Sequence, residues 1–126
     1  MLVPRLLLLD DEPRVARALQ FALASTDVEI VAISDPGELE AQVETMRPDA
    51  ILLDLSLGSN NGLDICRKLK GDGRFRGIPV LLLSGQADAD TKAAGFAAGA
   101  DDFITKPFVP TDLLARVRAQ LARRPV

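Results

Sequence analysis

Three short runs of consecutive apolar residues constrain the fold of this chain more than any other feature. They span residues 6–9, 51–53 and 80–83, and none of them alternates with polar residues. Strands covered by helices on both faces have this continuous pattern, whereas strands with one face in water alternate. The runs therefore predict the central strands of a buried parallel sheet.

The segments between the apolar runs carry apolar residues at helical spacing. Val15, Leu19 and Leu23 recur every four residues in the first segment, and Leu113 and Val117 do so in the last. The pattern predicts strands over 5–10, 28–34, 50–54, 78–84 and 102–105, and helices over 13–24, 36–46, 62–70, 87–98 and 110–122. Because strand and helix alternate five times, the predicted fold class is α/β, a doubly wound (βα)5 parallel sheet of five strands with right-handed crossovers.

Length and composition narrow the class of protein. The 126 residues suit one domain over 1–126, and a net charge of −3 argues against nucleic acid as the main partner. No apolar run is long enough to span a membrane. The single cysteine, Cys66, forms no intramolecular disulfide and is expected in the core, which favours a reducing, cytoplasmic compartment. The chain has no histidine, which excludes phosphohistidine chemistry within the chain itself.

Polar side chains end several of the predicted strands. Asp10, Asp11, Asp54, Ser84 and Lys106 all lie at or just past carboxyl ends, and in a doubly wound sheet these ends share one edge. Clustered carboxylates repel unless a cation lies among them, and oxygen ligands alone favour Mg²⁺ or Mn²⁺. A carboxylate is also a nucleophile toward phosphorus. Asp54 is therefore the predicted phosphoacceptor, with the Lys106 ammonium offsetting the charge of the phosphoryl oxygens and the Ser84 hydroxyl donating a hydrogen bond to them.

Simpler interpretations exist for each of these residues taken alone. Asp10 and Asp11 suit the positive end of the first helix, where a carboxylate contributes about 0.3–1 kcal/mol. Ser84 precedes a glycine, a pair that is typical of an ordinary turn. Phe103 is as easily a core aromatic as a functional residue. The basic residues of the last helix are by default a solvated face.

Taken together and in order, the motifs resemble the receiver domain of bacterial two-component response regulators over essentially the whole chain. The resemblance rests on a small set of segments. They are Asp10-Asp11-Glu12 after the leucines, Asp54, Gly62-Leu63-Asp64, Ser84, and Gly-Ala-Asp-Asp-Phe-Ile-Thr-Lys-Pro-Phe at 99–108. It implies a flavodoxin-like fold with strand order 2-1-3-4-5, as in chemotaxis receivers.

The resemblance also implies the roles of the metal and of the phosphoacceptor. Asp10, Asp11, Asp54 and the backbone carbonyl of Ser56 are expected to bind Mg²⁺. Asp54 is expected to accept a phosphoryl group from a sensor histidine kinase or a histidine phosphotransfer protein. Such a module is not an enzyme in the usual sense, since only self-phosphorylation from phosphodonors and slow autodephosphorylation are expected.

The signalling role implied by the resemblance depends on a second set of residues. Lys106 and Ser84 are expected to bind the phosphate, Ser84 and Phe103 to act as the switch, and the Lys106–Pro107 bond to be cis. The switch would change a surface that binds a downstream effector or output domain, and dimerisation through the last two helices stays open. Gly95 lies inside the fourth helix, where glycine costs about 1 kcal/mol relative to alanine, so this helix is predicted to be labile.

Four positions depart from the commonest receiver pattern, and one of them is Gly85, which follows Ser84. Ser84 stands in place of threonine and keeps the hydroxyl, whereas Phe103 lacks the hydroxyl of a tyrosine. Gly58 stands where proline is frequent, which predicts a more mobile loop. Ser56 lies at a variable position of the kind that tunes dephosphorylation in the family.

Three rival functions remain. One is a receiver-like adaptor that is never phosphorylated. A second is a haloacid-dehalogenase-like phosphatase with an aspartyl nucleophile, which is disfavoured because Asp54 is followed by Leu55 and Ser56 instead of completing an Asp-x-Asp motif. A third is a flavin-binding flavodoxin-like protein, weakened by the lack of Trp and Tyr.

Overall fold

The computed structural model describes residues 4–24, 26–55, 62–86 and 88–123. Five parallel strands form one sheet in the order β2-β1-β3-β4-β5, which confirms the predicted fold class and strand order. The strands are β1 (Arg5–Leu9), β2 (Glu29–Ile33), β3 (Ala50–Asp54), β4 (Val80–Ser84) and β5 (Asp102–Thr105). β1, β3 and β4 contain the continuous apolar runs, and they occupy the centre of the sheet.

Five α-helices cover the two faces of the sheet. They are α1 (Pro13–Leu23), α2 (Leu39–Met46), α3 (Gly62–Gly71), α4 (Ala89–Ala97) and α5 (Pro110–Arg123). Alternate residues of each strand face opposite layers, so Leu6 and Leu8 pack with α1 and α5, while Leu7 and Leu9 pack against the other helices. Among the described residues, no helix is both long and apolar enough to cross a membrane.

The second helical segment differs from its prediction. Residues Pro36–Glu38 form a 3-10 turn, and α2 begins only at Leu39. The Asp35 side chain accepts a hydrogen bond from the Gly37 N–H at 2.9 Å and so caps the 3-10 turn. Proline in the first turn suits both helix types, so the sequence signal did not separate them.

The register of the strands sets the position of the residues that follow them. Leu9 pairs with Leu53, Asp54 with Leu83, and Ser84 with Thr105. The carboxyl ends of four neighbouring strands therefore lie side by side at one edge of the sheet, and the predicted site residues follow these ends.

Candidate functional site

Asp54 is the last residue of β3, and its side chain is fully buried. The ammonium of Lys106 donates a hydrogen bond to Asp54 Oδ2 and forms an ion pair with it. Lys106 directly follows β5, and its N–H donates to the Ser84 carbonyl at 2.7 Å. This backbone bond holds the lysine beside β4, within reach of the end of β3.

Asp10 brings a second buried carboxylate to the same edge. Its Oδ1 accepts a hydrogen bond from the Glu12 N–H at 2.8 Å, which ties the carboxylate to the turn before α1. Its Oδ2 is buried, has no hydrogen-bond partner among the described residues, and lies 3.8 Å from the Lys106 ammonium. A buried carboxylate oxygen without a donor is costly, so this atom is suited to a cation or to a proton.

The electrostatics of this edge follow from burial and from the pairing of charges. Burial raises the pKa of Asp10 to about 6, and the neighbouring carboxylate of Asp54 adds to the rise, while the Glu12 N–H and the Lys106 charge oppose it. Burial acts to lower the pKa of Lys106, but its hydrogen bond and attraction to Asp54, together with the charge of Asp10, outweigh burial and raise that pKa. Lys106 is therefore held in its charged form.

Ser84 ends β4 and is 4% exposed. Its Oγ accepts a hydrogen bond from the Gln86 N–H at 3.0 Å. The side chain borders a cavity of about 490 Å³ between α3 and α4, which Leu63 of α3 and Thr91 of α4 also line. A Cβ built on Gly85 would meet nothing within 4 Å, so the approach to Ser84 is open on that side.

Two further predicted residues lie on or next to β5. Phe103 is buried, and its ring packs in the core between β4 and α4. The Lys106–Pro107 peptide bond is cis. Phe103 lies on the face of the sheet that carries Leu82 and Ser84, because Leu82 pairs with Phe103 and side chains alternate along each strand.

The predicted metal ligands are not all brought together. Asp10 and Asp54 both adjoin the Lys106 ammonium, but Asp11 is exposed, and Ser56 lies outside the described residues, as does Gly58. In the part of the chain that the structure describes, no three Asp, Glu, Cys or His side chains are grouped so as to hold a metal. Mg²⁺ takes one or two carboxylates and completes its shell with water, so Asp10 and Asp54 fit such an ion.

Gly62, to which the sequence alone assigned no role, packs against the end of β3. Gly62 begins α3, and a Cβ built on it would lie 2.9 Å from Leu55 Cα and 3.0 Å from the Asp54 carbonyl oxygen. The start of α3 therefore approaches the end of β3 more closely than any side chain allows. A glycine shortly after a strand that ends in aspartate is the local signal for such a contact.

Sequence comparison with known proteins matches this chain to response regulators. The sequence profile of the response regulator receiver domain matches residues 6–118. The DNA-binding response regulator MtrA of Mycolicibacterium smegmatis is 40% identical over 119 residues, which are 94% of this chain and 51% of that protein. The phosphate regulon transcriptional regulatory protein PhoB of Pseudomonas aeruginosa is 36% identical over 94% of this chain and 52% of that protein. The chain thus spans about half the length of these relatives.

Solved structures of receiver domains have the same fold as this chain. The signal receiver domain of a signal transduction histidine kinase from Syntrophus aciditrophicus superposes with a TM-score of 0.85 at 31% identity, covering 98% of this chain and 95% of that one. The receiver domain of the Francisella response regulator 1452 gives a TM-score of 0.86 at 25% identity, covering 95% and 98%. With the profile match and the relatives above 30% identity, these similarities show that the chain belongs to the response regulator receiver domain family.

Proposed function

We propose that Asp54 is the phosphoacceptor of this receiver and that a phosphohistidine on a partner kinase or phosphotransfer protein is its donor. The observation that carries the proposal is the ion pair between Lys106 and the fully buried Asp54 at the end of β3. An Asp54 carboxylate oxygen forms the new O–P bond while the P–N bond of the phosphohistidine breaks. The departing imidazole takes up a proton from solvent.

Lys106 and Ser84 support the transfer from two sides. The ammonium of Lys106 already contacts an Asp54 oxygen, so it is placed to offset negative charge on a phosphoryl group attached there. The Ser84 hydroxyl, which accepts from the Gln86 N–H, keeps its own proton to donate to a phosphoryl oxygen. Receiver domains are signalling modules and not a classical enzyme family, so the reaction expected here is self-phosphorylation followed by slow hydrolysis.

Asp10 and Asp54 would hold the divalent cation that receivers generally use, and the orphaned Asp10 Oδ2 is the atom best suited to it. Asp11 and the Ser56 carbonyl are the further ligands that the family resemblance implies. When bound, Mg²⁺ supplies positive charge that offsets the charge of the phosphoryl oxygens.

Signal output follows from changes on the α4 side of the site. Ser84 and Phe103 are the proposed switch residues, since both lie on the sheet face beneath α4. The relatives named above are DNA-binding or transcriptional regulators, and this chain spans about half of their length. We place any DNA contact outside these residues, in keeping with the net charge of −3, and we place the module in the cytoplasm with its kinase partner.

The test is phosphorylation of the purified chain by acetyl phosphate with Mg²⁺, followed by intact mass. We expect the mass of one phosphoryl group to be added to the wild type and to Asp72→Asn, a surface control, and not to Asp54→Asn. Uptake that persists in Asp54→Asn overturns the assignment of the acceptor. No uptake in any variant with several donors favours the adaptor that is never phosphorylated.

A further inference from the structure

α4 carries a glycine at the point where it lies on the sheet. Gly95 is buried, and a Cβ built on it would lie 2.9 Å from Leu82 Cδ1 and 3.2 Å from Phe103 Cδ2. The distance to Leu82 is shorter than real Cβ contacts, and the distance to Phe103 requires its ring to shift by a few tenths of an ångström. Helix α4 therefore approaches β4 and β5 this closely because residue 95 has no side chain.

Of the two side chains that face Gly95, the ring of Phe103 is the one nearer the edge of the sheet. Leu82 is fully buried, and β4, to which it belongs, has a strand on each side. Phe103 is 6% exposed and lies on β5, an edge strand of the sheet. A side chain at position 95 would therefore turn the ring of Phe103 outward or lift α4.

Either movement changes the surroundings of Ser84. Ser84 lies two residues beyond Leu82 on the same face of β4, and Leu82 pairs directly with Phe103. Ala94, which precedes Gly95, lines the cavity beside Ser84 together with Thr91 of α4. The position of α4 thus sets one wall of that cavity.

We propose that Gly95 is a positioning residue for the phosphoacceptor site: by leaving room for the Phe103 ring beneath α4, it sets the position of this helix relative to Ser84. The inference rests on the proposed function of Asp54, and it identifies a residue that sets the geometry of that same site. Helix propensity alone makes the opposite prediction, since replacing a glycine inside a helix by alanine normally stabilises the helix.

The test compares four variants of the chain: Gly95→Ala, Phe103→Leu, the double variant Gly95→Ala/Phe103→Leu, and Gly71→Ala. Gly71 is the matched control, because it is also a helical glycine and a Cβ built on it would meet nothing within 4 Å. Labelling the five phenylalanines with 4-fluorophenylalanine gives a fluorine NMR signal for Phe103, assigned by its loss in Phe103→Leu. The second measurement is the rate of phosphorylation by acetyl phosphate with Mg²⁺.

We expect Gly95→Ala to shift the Phe103 signal, to increase its response to exchange of H₂O for D₂O, and to lower the phosphorylation rate at least threefold. In the Phe103→Leu background, the same substitution should change the rate by less than 1.5-fold, because the smaller side chain leaves space into which the added Cβ and the Leu82 Cδ1 that it meets can both shift. Gly71→Ala should match the wild type in both measurements. If Gly95→Ala alone does not fold, the comparison of the double variant with Phe103→Leu still shows whether the added Cβ acts through the Phe103 ring.

Two results would overturn the inference. One is a Gly95→Ala protein whose Phe103 signal and phosphorylation rate equal those of the wild type. The other is an equal loss of rate from Gly95→Ala in the wild-type and Phe103→Leu backgrounds, which would mean that Gly95 acts without the ring. If the wild type and Gly71→Ala take up no phosphoryl group at all, the proposed function of Asp54 is wrong, and the positioning role of Gly95 is wrong with it.

Discussion

The ammonium of Lys106 is shared unequally between two buried carboxylates, since it donates a hydrogen bond to Asp54 and lies 3.8 Å from Asp10 Oδ2. One positive charge therefore faces two groups that are negative when ionised. Burial raises the pKa of Asp10 to about 6, and the Asp54 carboxylate beside it adds to the rise. A divalent cation at the same edge would offset the remaining charge and would bind the Asp10 oxygen that has no donor among the described residues.

Replacing Lys106 by methionine should destabilise the cation-free protein at pH 7 by about 1–3 kcal/mol, because the buried Asp54 carboxylate loses its charged donor. The measurement is urea unfolding with and without Mg²⁺. We expect Mg²⁺ to stabilise the methionine variant more than the wild type, because the variant leaves more negative charge uncompensated. Lys106→Arg, which keeps the charge, is the control. Equal stability of Lys106→Met and wild type without cation would contradict the interpretation of this pair.

The part of the site that follows from strand ends was predictable from sequence. Continuous apolar runs identify buried strands, and parallel strands end at one edge, so Asp54, Ser84 and Lys106 had to lie near one another. Asp10 and Asp11 could not be separated in this way. They are identical and adjacent in sequence, yet only Asp10 is buried and held by the Glu12 N–H, because the direction of each side chain depends on the turn before α1.

Replacing Gly62 by alanine should destabilise the protein by about 1–3 kcal/mol, because the added Cβ meets backbone atoms that cannot move aside. Those atoms are Leu55 Cα at 2.9 Å and the Asp54 carbonyl oxygen at 3.0 Å. Gly71→Ala, in the same helix but in open space, is the control and should change the stability little. Thermal unfolding of both variants tests this prediction. Equal shifts of the unfolding temperature in the two variants would show that the close approach of Gly62 to β3 does not cause the loss of stability.

A second ion pair, at the opposite end of the sheet from Asp54, joins α3 to the turn before β5. Lys70 Nζ lies 2.6 Å from Asp101 Oδ2 and also donates to the Ile78 carbonyl at 2.9 Å. Its side chain is only 14% exposed, whereas Lys68, which pairs with Glu40 at 3.1 Å, is 76% exposed. Lys70 therefore forms a partly buried ion pair, and Lys68 forms a surface one.

We expect Lys70→Met to lower the free energy of unfolding by about 1–3 kcal/mol. The substitution removes a donor from the Ile78 carbonyl and the cation from the partly buried Asp101 carboxylate, which keeps its hydrogen bond from the Val80 N–H. Lys68→Met should change it by less than about 0.5 kcal/mol. Urea unfolding in low salt and in 1 M NaCl gives both values, and the Lys70 effect should persist in high salt. Similar losses for the two variants would mean that burial adds nothing to the Lys70 pair.

Gly95 illustrates why the rest of the site was not predictable. From sequence alone, a glycine inside α4 indicates a weak helix, because propensity is a local property. In the structure the same glycine lies against Leu82 and the Phe103 ring, on two strands that are distant from each other in sequence. Distances between elements depend on the packing of the whole core, so no local pattern specifies them.

The buried thiol of Cys66 makes the free energy of unfolding depend on pH at alkaline pH. The thiol is fully buried on α3 and donates to the Ala98 carbonyl at 3.5 Å, and burial raises its pKa to about 11, against a partial lowering by the charge of Lys70. Because the folded pKa lies above the unfolded value of about 8.5, folding favours the neutral thiol. The contribution of the neutral thiol to the free energy of unfolding is fully present below about pH 8.5 and is lost as the pH rises toward 11.

The free energy of unfolding should therefore fall by about 2 kcal/mol more in the wild type than in Cys66→Ala between about pH 8 and pH 11. Comparing the two proteins removes the contribution of lysine titration, and the chain contains no tyrosine to titrate in the same range. Urea unfolding at several pH values measures both curves. Parallel curves would show that the Cys66 thiol ionises as readily in the folded as in the unfolded chain, and that the burial of this side chain does not control its proton.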